Sequence, residues 1–136
     1  MIILANADTV TIIILPVDID GMIITEVMSA ATRPNPHGVE SKTIYNHGHG
    51  QITHLTILPG QGLKKHITPV DVAFYVVEGR CEVEIGDEVQ VVGQDTLVES
   101  PANIPHTLRN PGASPLRVLV MKLPRPTQKS VLLKTD

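Results

Sequence analysis

Residues 59–66 read Pro-Gly-Gln-Gly-Leu-Lys-Lys-His, and residues 75–79 read Tyr-Val-Val-Glu-Gly. The first stretch predicts the end of a strand, because proline cannot donate to a ladder and glycine accepts turn conformations that other residues avoid. The apolar run 70–77 ahead of Gly79 is typical of a strand covered on both sides. Further along, residues 101–106 read Pro-Ala-Asn-Ile-Pro-His, a second turn that ends on a histidine.

The composition favours strands throughout. Val, Ile and Thr together supply 42 of the 136 residues, and β-branched side chains suit a pleated surface better than a helix. Eleven prolines and ten glycines lie between the apolar runs, where they interrupt helices but serve as turns. The chain is therefore expected to be all-β, and its length fits one domain with one core, residues 1–136.

From residue 51 onward, short strands and turns alternate regularly, which predicts a sandwich or barrel over residues 51–123. A small closed barrel leaves an interior that holds one ion or molecule. The expected strands are Ile52–Leu58, Val70–Val77, Cys81–Ile85, Val89–Val92, Thr96–Val98, Thr107–Leu108 and Leu116–Leu123.

Residues 1–42 predict N-terminal strands followed by a loop. Thr9–Leu15 and Met22–Met28 read as strands around a turn at Pro16–Gly21, and Ala30–Lys42 is rich in turn formers. The tail, residues 124–136, contains two prolines and four charged residues and is expected on the surface.

The two motifs resemble those of the cupin superfamily. Gly60, five residues and His66 match the start of the first cupin motif, and Gly79 matches its end. Residues 101–106 resemble the second motif, with Asn103 at a glycine position; asparagine readily accepts a left-handed backbone. The resemblance implies a double-stranded β-helix, or jelly-roll barrel, with metal ligands pointing into its interior.

The ligand positions of the family are only partly filled. Thr68 stands at the second histidine and Val72 at the glutamate; a hydroxyl is a weak ligand and valine is none. Asp71 is next to Val72, but successive strand residues face opposite sides, so it points inward only at a strand start or bulge. Thr68, Asp71 and Val72 are candidate substrate-binding residues.

His66 and His106 remain as expected inward-facing imidazoles and candidate metal ligands. His54, on the strand before Pro59, is the candidate third ligand; alternatively it is a polar residue beside the pocket. Such a site would suit Zn, Fe, Mn, Ni or Co, and ligand softness does not choose among them.

Three other histidines and the cysteine are interpreted differently. His47 and His49 have a spacing that can chelate in an extended chain, but a solvated turn of Gly, Asn and His is the favoured interpretation. His37, between proline and glycine, is expected to be a loop residue. Cys81 lies on the apolar side of an alternating strand and is expected to be buried and inert.

Composition also argues against several classes of partner and compartment. A net charge of −3 and only three aromatic residues do not suit a nucleic-acid surface. Acidic residues interrupt the apolar N-terminal segment, so no membrane helix is expected. The single cysteine excludes an internal disulfide, and no basic residue precedes Arg33; a cytoplasmic protein is the expectation.

Three functions are consistent with these residues. One is a metal-dependent enzyme acting on a small organic molecule (an oxygenase, isomerase or cyclase), with Tyr75 as candidate proton donor. The alternative is a metal-free module that binds or senses a small molecule. A third is a structural or partner-binding barrel. The apolar segments Ile2–Leu4 and Thr9–Leu15 are expected to pair across a homodimer.

Overall fold

A computed structural model of the protein describes residues 2–5, 10–13 and 21–134. These residues form twelve β-strands and a short 3-10 helix, Val27–Ser29. The strands are β1 Ile2–Ala5, β2 Val10–Ile13, β3 Glu40–His47, β4 Gly50–Ile57, β5 His66–Ile67, β6 Asp71–Glu78, β7 Cys81–Ile85, β8 Glu88–Val92, β9 Leu97–Ser100, β10 His106–Arg109, β11 Leu116–Leu123 and β12 Val131–Leu132.

Two five-stranded antiparallel sheets carry the core. One has the order β3-β4-β11-β6-β9 and the other β12-β5-β10-β7-β8. Strands distant in sequence are neighbours, as in β4-β11 and β5-β10, which gives the crossed connectivity of a jelly roll. The prediction of an all-β jelly-roll barrel is confirmed, and each strand expected after residue 51 is present with small shifts of its ends.

Strand alternation separates the core from the outer faces. On β6, Val72, Phe74 and Val76 are buried, whereas Asp71 and Glu78 are exposed. On β11 the same parity buries Leu116 and Val118. Because neighbouring side chains of a strand point to opposite faces, one residue of offset decides whether a side chain reaches the barrel interior.

The turn residues of both motifs have the backbone that the sequence predicts. Gly79 has φ +90°, and a Cβ there would lie 2.8 Å from the carbonyl oxygen of Pro115, so no other residue fits without displacement. Asn103 has φ 65°, and its backbone N–H donates to the backbone carbonyl of Thr68 at 2.9 Å. The asparagine therefore keeps the left-handed turn that leads into His106.

The N-terminal predictions are partly wrong. Met22–Met28 is not a strand: residues 22–26 have no regular secondary structure, the 3-10 helix begins at Val27, and Met22 is 87 % exposed. Val10–Ile13 of the expected strand Thr9–Leu15 pairs with Ile2–Ala5 of the same chain. Residues 14 and 15, Thr9 and most of the predicted turn Pro16–Gly21 lie outside the described residues.

Two further segments differ from expectation. The loop predicted over Ala30–Lys42 ends early, because β3 begins at Glu40 and forms a hairpin with β4. The tail is largely exposed, but the prediction of a surface tail is incomplete. Its strand β12 pairs with β5, placing Leu132 opposite His66. None of the described helical segments is long and apolar enough to span a bilayer.

Candidate functional site

A cavity of about 570 Å³ opens inside the barrel between the two sheets. Its deep wall is apolar, formed by Leu55, Leu63, Val72, Phe74 and Val120. Polar side chains converge at one side of it, and the tail segment 126–130 lines its mouth. A largely apolar cleft of this size with a few convergent polar groups is typical of small-molecule sites.

The ladder between β5 and β10 brings His66 and His106 together. The two residues are directly paired across these antiparallel strands, although forty positions separate them in sequence. Their Nε2 atoms are 3.1 Å apart and their ring centroids 4.5 Å apart. Phe74 packs edge-on against His106, with centroids 5.3 Å apart, which fixes the imidazole plane against the apolar wall.

The neighbours of the two rings determine where their protons lie. His66 Nδ1 is 2.7 Å from the carbonyl oxygen of Lys64; a carbonyl only accepts, so this nitrogen carries hydrogen and donates. In a neutral His66 ring, Nε2 is then an acceptor, and His106 Nε2 donates to it. His106 Nδ1 consequently accepts from the hydroxyl of Ser100 at 2.7 Å.

Two hydroxyl groups extend this chain toward the mouth. Thr68 Oγ1 lies 3.1 Å from His106 Nε2 and 3.2 Å from the Ser130 hydroxyl of the tail. Ser100 and Ser130 were not among the sequence-predicted site residues. Ser100 is the residue before Pro101 of the second motif, a weak signal, whereas Ser130 reaches the site only through the pairing of β12.

Burial keeps both imidazoles neutral. Burial first, and then the charge of a protonated His66, lower the pKa of His106 to about 4. Burial also lowers the pKa of His66, opposed by its hydrogen bond to Lys64. A low-dielectric surrounding disfavours the charged form, so each ring holds one proton at neutral pH, in agreement with the hydrogen-bond pattern.

His37 is a member of the site that the sequence interpretation missed. Its ring centroid is 4.9 Å from that of His66, and its Nδ1 accepts from the Lys64 amide at 2.9 Å. Burial, followed by the charge of a protonated His66, lowers its pKa to about 4. No motif spacing could have identified it, because the loop carrying it reaches the mouth through tertiary folding.

His54 is not brought together with the pair. Thr53 and Leu55, its neighbours on β4, line the cavity, so His54 points to the outer face of the sheet. There its Nε2 accepts from Arg117 Nε at 3.1 Å. Burial lowers its pKa, and the Arg117 charge lowers it further. The expected cluster of His54, His66 and His106 is therefore corrected: His66 and His106 pair, and the third imidazole beside the cavity is His37 instead of His54.

Of the four remaining candidates, two line the cavity and two face outward. Thr68 and Val72 line the cavity. Asp71 is exposed and accepts from the Ala102 amide at 2.9 Å, so it supports the second motif from outside. Tyr75, the candidate proton donor, also faces outward: its hydroxyl donates to Asp95 at 2.8 Å, which raises the pKa of the phenol.

None of the remaining candidates, His47, His49 and Cys81, lines the cavity. His47 and His49 are exposed at the β3–β4 hairpin with their rings stacked, and Tyr45 bonds to His49 at 2.6 Å. Cys81 is buried, and burial raises the pKa of its thiol to about 12. An unreactive thiol is what the sequence predicts at this position.

The residues around the pair do not fit a protein-bound divalent ion. Protein metal sites normally supply three or four ligands. At the family's ligand positions the cavity offers two imidazoles, a threonine hydroxyl and a valine, and the third imidazole of the lining, His37, already accepts from the Lys64 amide through Nδ1. Within 21–134, no three His, Cys, Asp or Glu side chains form a group that could hold an ion. The lining carries the ammonium of Lys122 and no carboxylate among the described residues.

Sequence and structure comparisons agree with this class of fold. The cupin domain profile matches residues 53–122, just over half of the chain. The chain belongs to the cupin family. No curated protein matches it.

Several solved structures are similar to this chain. The TT1209 protein of Thermus thermophilus is 31% identical over 77% of this chain and 100% of its own, with a TM-score of 0.67. A protein of Klebsiella pneumoniae with a double-stranded β-helix domain is 17% identical over 85% of this chain and 100% of its own, TM-score 0.71. The polyketide cyclase RemF of Streptomyces resistomycificus is 14% identical over 85% of this chain and 88% of its own, TM-score 0.73. At such low identity the last two share the fold alone.

Proposed function

We propose that this cupin binds a small organic molecule in its barrel cavity through hydrogen bonds from the histidine pair, without a protein-bound metal ion. The observation that carries the proposal is the convergence of His66 and His106 at the side of a largely apolar cavity of about 570 Å³. The apolar wall would bury the body of the ligand, and the polar side would fix its orientation.

The ligand set supports a metal-free site over the metal-dependent alternative. In the arrangement described, His106 Nε2 carries the hydrogen that joins it to His66 Nε2. A ligating imidazole must instead present a lone pair. His37, the third imidazole of the lining, uses its Nδ1 lone pair for the Lys64 amide, and no three described His, Cys, Asp or Glu side chains form a group that could hold an ion. The oxygenase function, which depends on such an ion, is therefore the least favoured of the three enzyme types.

The protonation of the pair supports binding over catalysis. A general base works best when its pKa is near the operating pH, whereas the pKa of His106 is about 4. Tyr75 faces away from the cavity and lacks access to a ligand there. Isomerase or cyclase activity would require a ligand that raises these pKa values on binding.

Neutral benzamide is a suitable probe of binding, with the imidazole nitrogen NMR resonances as the readout. We expect it to shift the His66 and His106 resonances and to leave those of His47 and His49 unchanged. His106→Gln should weaken binding, whereas His47→Gln, at the exposed hairpin, is the matched control. Shifts confined to the hairpin histidines would contradict the proposal, as would the absence of any shift with benzamide and with its charged analogues benzoate and phenyl phosphate.

Elemental analysis tests the metal-free part separately. We expect Zn, Fe, Mn, Ni and Co each to remain far below one ion per chain, including after addition of each metal and desalting. The result that would overturn this part is stoichiometric metal that disappears in both His66→Ala and His106→Ala but persists in His54→Ala.

The homodimer and the cytoplasmic location remain predictions. The exposed apolar segment Met22–Ile24 supports a covered surface near the N-terminus, because large exposed apolar patches mark contacts. A light-scattering molar mass twice that of the 14.7 kDa chain would support the dimer, and a monomer at micromolar concentration would contradict it.

A further inference from the structure

We propose that the ligand is a small organic carboxylate with an apolar body, and that Lys122 is the residue that recognises its charged group. This inference rests on the proposed binding function and names the chemical class of the ligand. Its basis is the position of Lys122 and the distribution of charge around the cavity.

Lys122 is on the inner side of β11. The buried residues Val118 and Val120 precede it with the same parity, and Val120 and Lys122 both line the cavity. Across the ladder, Lys122 pairs with Val72 of β6 and Gln51 of β4. A lysine therefore continues a row of core valines, so its ammonium reaches the same space as the histidine pair.

The described part of the cavity provides no counter-charge for this ammonium. Its described lining includes no Asp or Glu. The four ion pairs found among the described residues involve Lys42, Lys65, Arg109 and Arg117, all on other faces. Lys122 is partly buried, and a charge that is partly removed from solvent is stabilised by an opposite charge, so an anion entering the cavity would find in Lys122 an ammonium that no described carboxylate already pairs.

The positive charge of Lys122 also affects the pKa values of the three histidines beside the cavity. Lys122 contributes to the lowered pKa values of His37, His66 and His106, after the larger effect of burial. Burial also lowers the pKa of Lys122 itself. A bound anion would offset both effects, because a negative charge favours the protonated form of each neighbouring group.

The charge balance favours a carboxylate over a phosphate ester. Within the described lining, Lys122 is the half-buried cation, and the other, Lys129, is exposed at the mouth where solvent screens it. One half-buried ammonium and neutral imidazole or hydroxyl donors match a single negative charge. The second charge of a phosphate monoester would remain uncompensated inside the barrel.

The test compares benzoate with benzamide and phenyl phosphate, since the three share one ring and differ in charge. We expect benzoate to bind at least about tenfold more tightly than the other two, in line with a charge-assisted hydrogen bond. Lys122→Met should remove this preference and retain benzamide binding, which also verifies that the variant is folded. Lys134→Met, an exposed lysine outside the cavity lining, should bind all three like the parent protein.

Each alternative result has a separate meaning. Equal binding of benzoate and benzamide, or a benzoate preference that survives in Lys122→Met, would overturn the assignment of Lys122 and leave the proposed function standing. Tighter binding of phenyl phosphate would overturn the carboxylate class. If none of the three probes perturbs His66 or His106, the proposed function itself is wrong for ligands of this size.

Discussion

His106 inside the barrel and His54 on the outer face of its sheet are equally hidden from solvent, each only 2 % exposed, yet they are partnered very differently. His106 contacts Ser100, Thr68 and His66 through its two nitrogens. His54 bonds to Arg117 through one nitrogen, and its Nδ1 has no partner among the described residues. Burial of a histidine therefore does not by itself mark a functional site; the face of the strand and the convergence of partners do.

The largest expected difference between the two faces concerns adjacent residues of β6. Phe74 points inward and is 2 % exposed, while Tyr75 points outward. Phe74→Ala should lower the free energy of unfolding by about 3–5 kcal/mol, through lost burial and the cavity left beside His106. Tyr75→Ala, the matched control, should cost much less in the same urea titration. Equal losses would contradict the assignment of inner and outer faces.

Acid should destabilise the protein through the interior histidines. The pKa of His106 falls from 6.5 to about 4 on folding, so below 6.5 the unfolded chain binds a proton that the folded chain does not. This stabilising contribution is complete above pH 6.5 and is lost as the pH falls toward 4. At 1.36 kcal/mol per unit, roughly 2 kcal/mol is lost for one histidine between pH 6.5 and 5.

Unfolding free energies measured across this range check the prediction. His106→Gln should reduce the slope of stability against pH, although His37 and His66 retain part of it. His47→Gln is the exposed control and should keep the slope of the parent protein. Stability that stays constant from pH 7 to about pH 5 would show that the buried pair is not held neutral.

The sequence predicted the strands more accurately than it predicted which distant side chains meet at the site. Alternation predicted that Val72 and Asp71 face opposite sides, and the motif turns placed His66 and His106 at strand ends. The candidate substrate-binding role of Asp71 was wrong, because its side chain lies on the outer face. His54 was misplaced because both faces of Ile52–Leu58 contain apolar residues, so the pattern does not identify the inner face. His37 and Ser130 come from a loop and the tail, whose positions depend on long-range packing that no local spacing encodes.

The smallest expected effect follows from the incomplete hydrogen bonding of His54. His54→Leu removes a buried nitrogen without a described partner, which offsets the loss of the bond to Arg117. That guanidinium is partly exposed and 3.8 Å from Glu78, so solvent and the carboxylate satisfy it. The unfolding free energy should stay within about 1 kcal/mol of the parent value.

His106→Leu is the contrasting substitution, since it leaves the Ser100 hydroxyl and His66 Nε2 buried without their bonds. It should cost at least about 2 kcal/mol, because each abandoned polar group carries its own desolvation penalty. The difference between the two leucine variants measures how much the interior network contributes beyond the burial of an imidazole. A larger loss for His54→Leu than for His106→Leu would reverse the comparison and indicate that the outer face holds the more tightly organised polar cluster.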